Sequence, residues 1–229
     1  MKLHLTPSLT FVTTLAVLLP TVRAASISSF DATSEGWSIV SFANLSTNDY
    51  SIVGTYAPTY SSTGGNPGGF ISISDPDGGD FTFAAPAAVR SSLSGAFGTV
   101  LSYDLTHTGT INYQAGDVIL EGGGLRLVWQ SSPPIAPTSG WTPVSVALAP
   151  SPQWHLAATN GSLASASDFQ TVLASTTGFF VRGEYTDGAE VAGIDNIIVV
   201  PEPSSLAFLA LSASVVASFT RRSKSRKVA

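Results

Sequence analysis

Short segments in which apolar and polar residues alternate recur along most of the chain. They lie at residues 37–42, 70–74, 80–83, 100–107, 125–130, 144–148, 179–185 and 194–199. In one of them Leu101, Tyr103 and Leu105 share a face, while Asp104 falls on the other. A period of two is typical of half-buried strands in antiparallel sheets. Glycine-rich turns at 63–69, 77–79 and 122–124 separate the segments, so the pattern predicts an all-β sandwich or barrel.

One helix interrupts the predicted strands. Ser167 precedes Gln170 by three positions, which is the spacing of an N-terminal capping pair. An apolar stripe follows the same segment, at Phe169, Val172 and Leu173. The sequence therefore predicts a single short helix that ends near Gly178.

Charge is scarce and unevenly distributed. Only 11% of residues are charged, and the formal net charge of the chain is −5. Between residues 25 and 199 three arginines face fourteen acidic residues, so the formal charge of that region is −11. This balance excludes a basic nucleic-acid-binding surface, disfavours anionic partners, and fits calcium, a neutral glycan, or simple repulsive solubility outside the cell. Because cysteine is absent, disulfides, thiol nucleophiles and cysteine-ligated zinc are excluded as well.

The first 24 residues are typical of a secretory signal peptide. Lys2 gives a positive start, residues 9–19 are mostly apolar, and Val22 and Ala24 occupy the −3 and −1 positions. The apolar run is too short for a membrane anchor. We expect cleavage after Ala24, with Ala25 as the second choice.

Residues 200–229 have three parts: Pro201-Glu202-Pro203, an apolar segment at 206–219, and a basic end. The apolar segment falls short of the ~20 residues of a comfortable membrane span, and the basic end would stay cytoplasmic. This order resembles the PEP-CTERM sorting signal of exopolysaccharide-producing Gram-negative bacteria. The resemblance implies export, transient retention in the inner membrane, and cleavage near Pro-Glu-Pro by an exosortase-type transpeptidase. A permanent single-span anchor is the alternative.

The region between these ends, residues 25–199, is predicted to be one domain. Its segments, in order, resemble the laminin type IV (laminin B) domain in a bacterial form. They include Phe30-Asp31, Glu35-Gly36-Trp37, residues 65–70, 81–86, 101–105, 117–122, 141–148 and 168–173, Arg182-Gly183-Glu184-Tyr185 and Ile194-Asp195-Asn196-Ile197. The resemblance implies a jelly-roll-like antiparallel β-sandwich of extracellular matrix proteins, related in architecture to carbohydrate-binding modules.

No motif in the sequence predicts catalysis. A glycosidase needs two facing carboxylates, and Asp104, Glu121 and Glu184 are the candidates, but nothing in their spacing pairs them. Glu184 alternates with Arg182, which favours cross-strand partners on a solvent face. A Gly-x-Ser-x-Gly elbow and a His-Glu-x-x-His motif are both absent. The chain is therefore predicted not to be an enzyme.

Calcium is the expected cofactor, since it prefers oxygen ligands. Asp31 opens the first segment and Asp195 opens the last, and in jelly-roll carbohydrate-binding modules similar positions converge on a structural calcium. Asp75, Asp77 and Asp80 form a second candidate on one turn. The alternative for that turn is side-chain hydrogen bonding to its own backbone.

A glycan would be bound by exposed aromatic rings backed by planar polar groups. Trp37 and Trp129 are predicted to be core, and Trp141 core or rim. Trp154 and Tyr113 are the freer rings and the candidate glycan contacts.

These observations predict an exported, non-enzymatic protein of the cell surface or extracellular matrix. Its expected role is adhesion within, or binding to, an exopolysaccharide layer. A carbohydrate-binding module with a defined glycan site is the first alternative, and a polysaccharide hydrolase is the remoter one.

Overall fold

The computed structural model describes residues 25–112 and 114–201, so the predicted signal peptide and all of the tail after Pro201 lie outside it. The described elements are strands β1 (Ala25–Ser28), β2 (Ser38–Asn44), β3 (Asp49–Tyr56), β4 (Thr59–Gly65), β5 (Gly68–Ser74) and β6 (Asp80–Ala84), helix α1 (Ala87–Ser92), strands β7 (Thr99–His107), β8 (Val118–Gly122), β9 (Leu125–Trp129), β10 (Thr142–Ala147) and β11 (Trp154–Leu156), helix α2 (Ala166–Ala174), and strands β12 (Thr176–Arg182) and β13 (Val191–Pro201).

Two antiparallel sheets form a jelly-roll-like β-sandwich, as predicted. Sheet A has the order β10-β7-β13-β5-β4, and β1 also pairs with β13. Sheet B has the order β11-β9-β8-β12-β6-β2-β3. The main core lies between the sheets, where Leu101, Tyr103 and Leu105 of β7 are buried together, as their alternation predicts.

Sheet B is strongly curled, so its outer face encloses a second apolar cluster. The ring of Phe42 contacts the rings of Tyr50 and Phe180 edge to face there. The guanidinium of Arg126 on β9 lies 4.0 Å from the ring centre of Tyr50 on β3. Five strand spacings separate these strands along the sheet, which is about 24 Å if the sheet were flat. Curling therefore brings the two ends of the sheet together and fills the concave face with side chains.

The helices differ from the prediction in number and in cap. The described residues contain two short helices rather than one, because α1 follows Pro86 between β6 and β7. Helix α2 begins two residues earlier than predicted: Ser165, not Ser167, is its N-cap, and Asp168 completes a reciprocal capping box. The predicted apolar stripe of Phe169, Val172 and Leu173 is buried.

Two residues of the predicted tail, Val200 and Pro201, are among the described residues. Pro201 is the last residue of β13 and lies opposite Thr99 of β7. Glu202 and Pro203 lie outside the described residues. Within residues 25–112 and 114–201, none of the helices has the length and apolar character needed to cross a membrane.

Candidate functional site

An open cleft of about 500 Å³ lies where four connections meet. The β2–β3 turn, the β5–β6 loop, the β7–β8 loop and the β12–β13 loop supply its walls. Its polar lining consists of Asn44, Ser46, Asp75, Asp77, Asp80, Asn112, Glu184 and Asp187. The cleft thus joins two of the sequence candidates, the acidic turn at 75–80 and Glu184, with carboxamides that the sequence did not indicate.

Backbone and hydroxyl donors hold the acidic turn in place. Asp77 accepts hydrogen bonds from Ser41 Oγ at 2.6 Å, Tyr56 Oη at 2.7 Å and the Gly79 amide at 2.8 Å. Asp80 accepts from the Leu45 amide. The hydrogen bond from the Gly79 amide to Asp77 is of the kind expected for the alternative to calcium, in which side chains of the turn bind their own backbone.

Burial and neighbouring carboxylates shift the pKa values of the acidic residues in the cleft. Burial, together with the neighbouring carboxylates of Asp80, Glu190 and Asp75, raises the pKa of Glu184 to about 8. Burial and the charges of Glu190 and Asp77 also raise the pKa of Asp75. The Asp77 pKa is instead lowered, because its hydrogen bonds from Ser41, Tyr56 and Gly79 outweigh the opposing effect of burial. Glu184 can therefore hold a proton near neutral pH while Asp77 stays ionised.

The prediction that Arg182 and Glu184 pair on a solvent face is wrong. Glu184 accepts from the Phe81 amide at 3.1 Å and is buried. Arg182 is buried as well, and its Nη2 lies 2.9 Å from Asp117 Oδ1. The alternation places both residues on the face opposite to Val181, and on that face Asp117 and the ring of Tyr185 contact Arg182 and exclude solvent from it.

The three carboxylates considered for hydrolysis lie apart. Asp104 is on the outer face of sheet A, where it stands in register with Asp195. Glu121 is on sheet B and pairs with Arg126 at 2.6 Å. Of the three, only Glu184 lines the cleft.

Asp31 and Asp195 both lie against the β4–β5 turn. Asp195 is fully buried, and its carboxylate accepts from the amides of Asn66 at 2.6 Å and Asn196 at 2.7 Å. Asp31 is exposed and lies next to Gly68 of the same turn. Burial, together with the charges of Asp104 and Asp31, raises the pKa of Asp195. In the described part of the chain, no group of three or more His, Asp or Glu side chains is arranged to hold a metal, so calcium stays a prediction.

Trp154 is not the free ring that its Pro-rich neighbourhood suggested. It is fully buried in β11, its ring lies 5.1 Å from that of Phe169, and its Nε1 donates to the Ala147 carbonyl at 2.9 Å. Tyr113, the other candidate glycan contact, lies outside the described residues. Trp37 is in the core, as predicted. Trp129 is partly buried and packs against that core. Trp141 is partly exposed and belongs to neither apolar cluster.

Known proteins resemble the chain in sequence pattern and in fold. A sequence model of the laminin B (domain IV) family matches residues 82–200, slightly more than half of the chain. No curated protein matches it. Among solved structures, it is similar to the L4b domain of human laminin α-2, with 16% identity, a TM-score of 0.49, and coverage of 65% of this chain and 86% of that one.

Two structures of carbohydrate-binding modules are similar as well. The family 11 module of the cellulosomal cellulase Lic26A-Cel5E of Clostridium thermocellum shows 12% identity and a TM-score of 0.46, covering 79% of this chain and 96% of its own. The solution structure of CtCBM11 shows 12% identity and a TM-score of 0.48, covering 80% and 98%. At identities this low, the similarity concerns the overall fold alone.

Proposed function

Because the chain belongs to the laminin B (domain IV) family, we propose that it is a non-enzymatic protein of the cell surface or extracellular matrix. Its role in this proposal is adhesion within, or binding to, an exopolysaccharide layer. The observation that carries the proposal is the cleft of about 500 Å³, whose carboxylates and carboxamides present hydrogen-bonding groups to solvent.

The chemistry of the cleft suits a hydroxyl-rich, uncharged ligand. Asp75, Asp187 and Asn112 offer acceptors to sugar hydroxyls, and none of the described lining residues is basic. An anionic polymer would be repelled by this lining and by the formal charge of −11 between residues 25 and 199. A neutral glycan meets neither penalty.

Titration of the full chain with isolated neutral exopolysaccharide, followed by calorimetry, tests this function. We expect saturable binding that the double variant Asp75→Asn/Asp187→Asn weakens. Asp49→Asn is the matched control, since it removes an exposed negative charge outside the cleft lining. A glycan array separates a defined site from a matrix spacer, because a spacer shows no saturable binding to any glycan. Absence of binding to the isolated polymer would reject the proposal.

A polysaccharide hydrolase is the second candidate function, and Glu184 is the observation that favours it. A carboxyl with a pKa of about 8, in the same cleft as the ionised Asp77, has the character of a general acid. Assays for released reducing ends test this candidate. Activity that survives Glu184→Gln and Glu121→Gln, or no activity at all, eliminates it.

We propose export by the route that the two termini indicate. Residues 1–24 act as a signal peptide of a Gram-negative bacterium, and an exosortase-type transpeptidase cleaves near Pro201-Glu202-Pro203 after transient retention in the inner membrane. Replacing those three residues by alanine is expected to leave unprocessed protein in the inner membrane, as detected by immunoblotting of membrane fractions. Normal processing of that variant would contradict the route.

Calcium is the cofactor that we propose for the β4–β5 turn. Its support is the approach of Asp31 and Asp104 to Asp195, where burial and then the repulsion between these carboxylates raise the Asp195 pKa and a divalent cation would relieve that repulsion. The turn with Asp75, Asp77 and Asp80 is the second location in this proposal.

A further inference from the structure

The outer face of sheet A carries an aromatic pair that the core does not use. Trp141, which precedes β10, and Phe70 of β5 lie 5.3 Å apart between ring centres, with an interplanar angle of 83°. Both rings are partly exposed, and both lie outside the two apolar clusters. The pair therefore forms a partly exposed aromatic surface on sheet A.

The two rings reach each other across the middle of the sheet. Strands β10 and β5 are separated by β7 and β13, or about 14 Å at ordinary strand spacing. Thr106 and Gly193 lie between them, and a Cβ at Gly193 would come within 3.1 Å of Phe70 and 3.0 Å of Thr106. A small residue at this position lets the aromatic rings lie low over the strands.

The indole of Trp141 is fixed by a hydrogen bond rather than by core packing. Its Nε1 donates to the Gly64 carbonyl of the β4–β5 turn at 3.0 Å. Thr106 of β7, which lies between the two rings, is partly exposed. Short side chains therefore stand between the rings on this face.

Planar polar groups stand next to the aromatic pair. Asp104 Oδ2 accepts from Asn66 Nδ2 at 3.2 Å and from Asn196 Nδ2 at 2.8 Å. Asn196 has φ 51° at an irregularity in β13, and such bulges redirect side chains. Among the described residues, the hydrogen bonds of Asp104 involve only Oδ2, which leaves Oδ1 to accept from a ligand hydroxyl.

We propose that this face, defined by Trp141, Phe70, Asn66, Asp104 and Asn196, is a binding site for the pyranose rings of a neutral polysaccharide. The C–H face of a sugar ring stacks on an indole, while a carboxylate and carboxamides bind its hydroxyls. Asp104, Asp195 and Asp31 make the surroundings negative, so uronate and sulfated polymers are disfavoured.

This site is separate from the cleft and goes beyond the proposed function. The two surfaces share no residue: Asp75, which follows the end of β5, lines the cleft, whereas Phe70 lies near the beginning of that strand. A protein with two glycan-binding surfaces can connect two polysaccharide strands, and simultaneous engagement raises the overall affinity without any new contact.

Affinity electrophoresis of the full chain tests the site, with barley β-glucan, dextran and galactomannan as neutral polymers and alginate as the anionic one. We expect at least one neutral polymer to retard the wild-type chain and alginate not to. Trp141→Ala should lower that affinity about tenfold, because stacking is lost. Trp141→Phe, which keeps a ring, should lower it less.

The variant Asp104→Asn distinguishes a loss of binding from a loss of folding. With a chelator present to empty the calcium site proposed for the β4–β5 turn, this variant removes a carboxylate that stands directly opposite Asp195, so the melting temperature should stay constant or rise while affinity falls. Retardation by alginate alone, by no polymer, or equally for wild type and Trp141→Ala would overturn this site. If only Asp75→Asn/Asp187→Asn loses binding, the cleft function stands and this site fails; if only Trp141→Ala loses it, the reverse holds.

Discussion

Replacing Asp117 by asparagine is expected to destabilise the domain severely, because it strands a buried guanidinium. The side chains of Asp117 and Arg182 are both fully buried and 2.9 Å apart. The same carboxylate accepts from the Ser131 amide at 2.8 Å and from Tyr185 Oη at 3.3 Å. Asparagine keeps an acceptor of similar shape but removes the charge that faces Arg182.

The magnitude follows from the burial of the pair. Breaking a fully buried ion pair costs about 3–5 kcal/mol, since one charge remains uncompensated. For a domain of this size that loss lowers the melting temperature by about 6–20 °C. Arg182 also lies over the ring of Tyr185 at 3.8 Å, and this contact favours the lower end of the range.

Urea unfolding and calorimetry of wild type, Asp117→Asn, and the double variant Asp117→Asn/Arg182→Met measure this effect. The double variant removes the stranded charge, so it should recover most of the stability that Asp117→Asn loses. Glu121→Gln, which breaks the partly exposed pair with Arg126, is the matched control and should cost about 1 kcal/mol or less. A loss below about 1 kcal/mol for Asp117→Asn, or a double variant no more stable than that single variant, would show that the buried pair does not carry this stability.

Four further outcomes are expected. The Glu184 pKa of about 8 lies above its usual value, so the folded protein keeps a proton that the unfolded chain releases. The melting temperature should therefore fall as pH rises from about 5 to 8, and Glu184→Gln should make it less dependent on pH. Trp154→Ala should cost about 3–5 kcal/mol in urea unfolding, since it leaves a cavity beside Phe169. Ser165→Ala should cost about 1 kcal/mol by the same measurement, through loss of the capping box. Calcium should raise the melting temperature and a chelator lower it, and Asp195→Asn should abolish the difference; an unchanged melting temperature would reject a structural calcium.

Alternation along the chain predicts the strands whose two faces differ. The inward residues of β7 and β10, such as Leu101 and Val146, are buried as their spacing indicates. Strands β3 and β4 gave no such signal, because both are edge strands with mostly exposed residues, including Ile52 and Val53. Their conformation depends on hydrogen bonds to a neighbouring strand, which a single sequence does not reveal.

The candidate sites show where sequence patterns lose their power. Trp154 sits among prolines, which suggests freedom, but its burial depends on a helix that follows later in the chain. The cleft assembles Asp75 and Glu184 from loops more than a hundred residues apart. The aromatic pair of Phe70 and Trp141 depends likewise on the strand order of sheet A. The low charge of the sequence does not indicate this pair.

The arginines of the domain bear on its lifetime outside the cell. Between residues 25 and 199 the sequence contains no lysine and three arginines, the only positions at which a trypsin-like protease can cleave. Arg90 lies in α1 and donates to the Ala85 carbonyl, Arg126 lies in β9, and Arg182 lies buried at the end of β12. Proteases cut exposed, flexible loops, and none of these three bonds lies in one. The folded domain therefore offers such proteases no ready substrate, which agrees with the extracellular role proposed above.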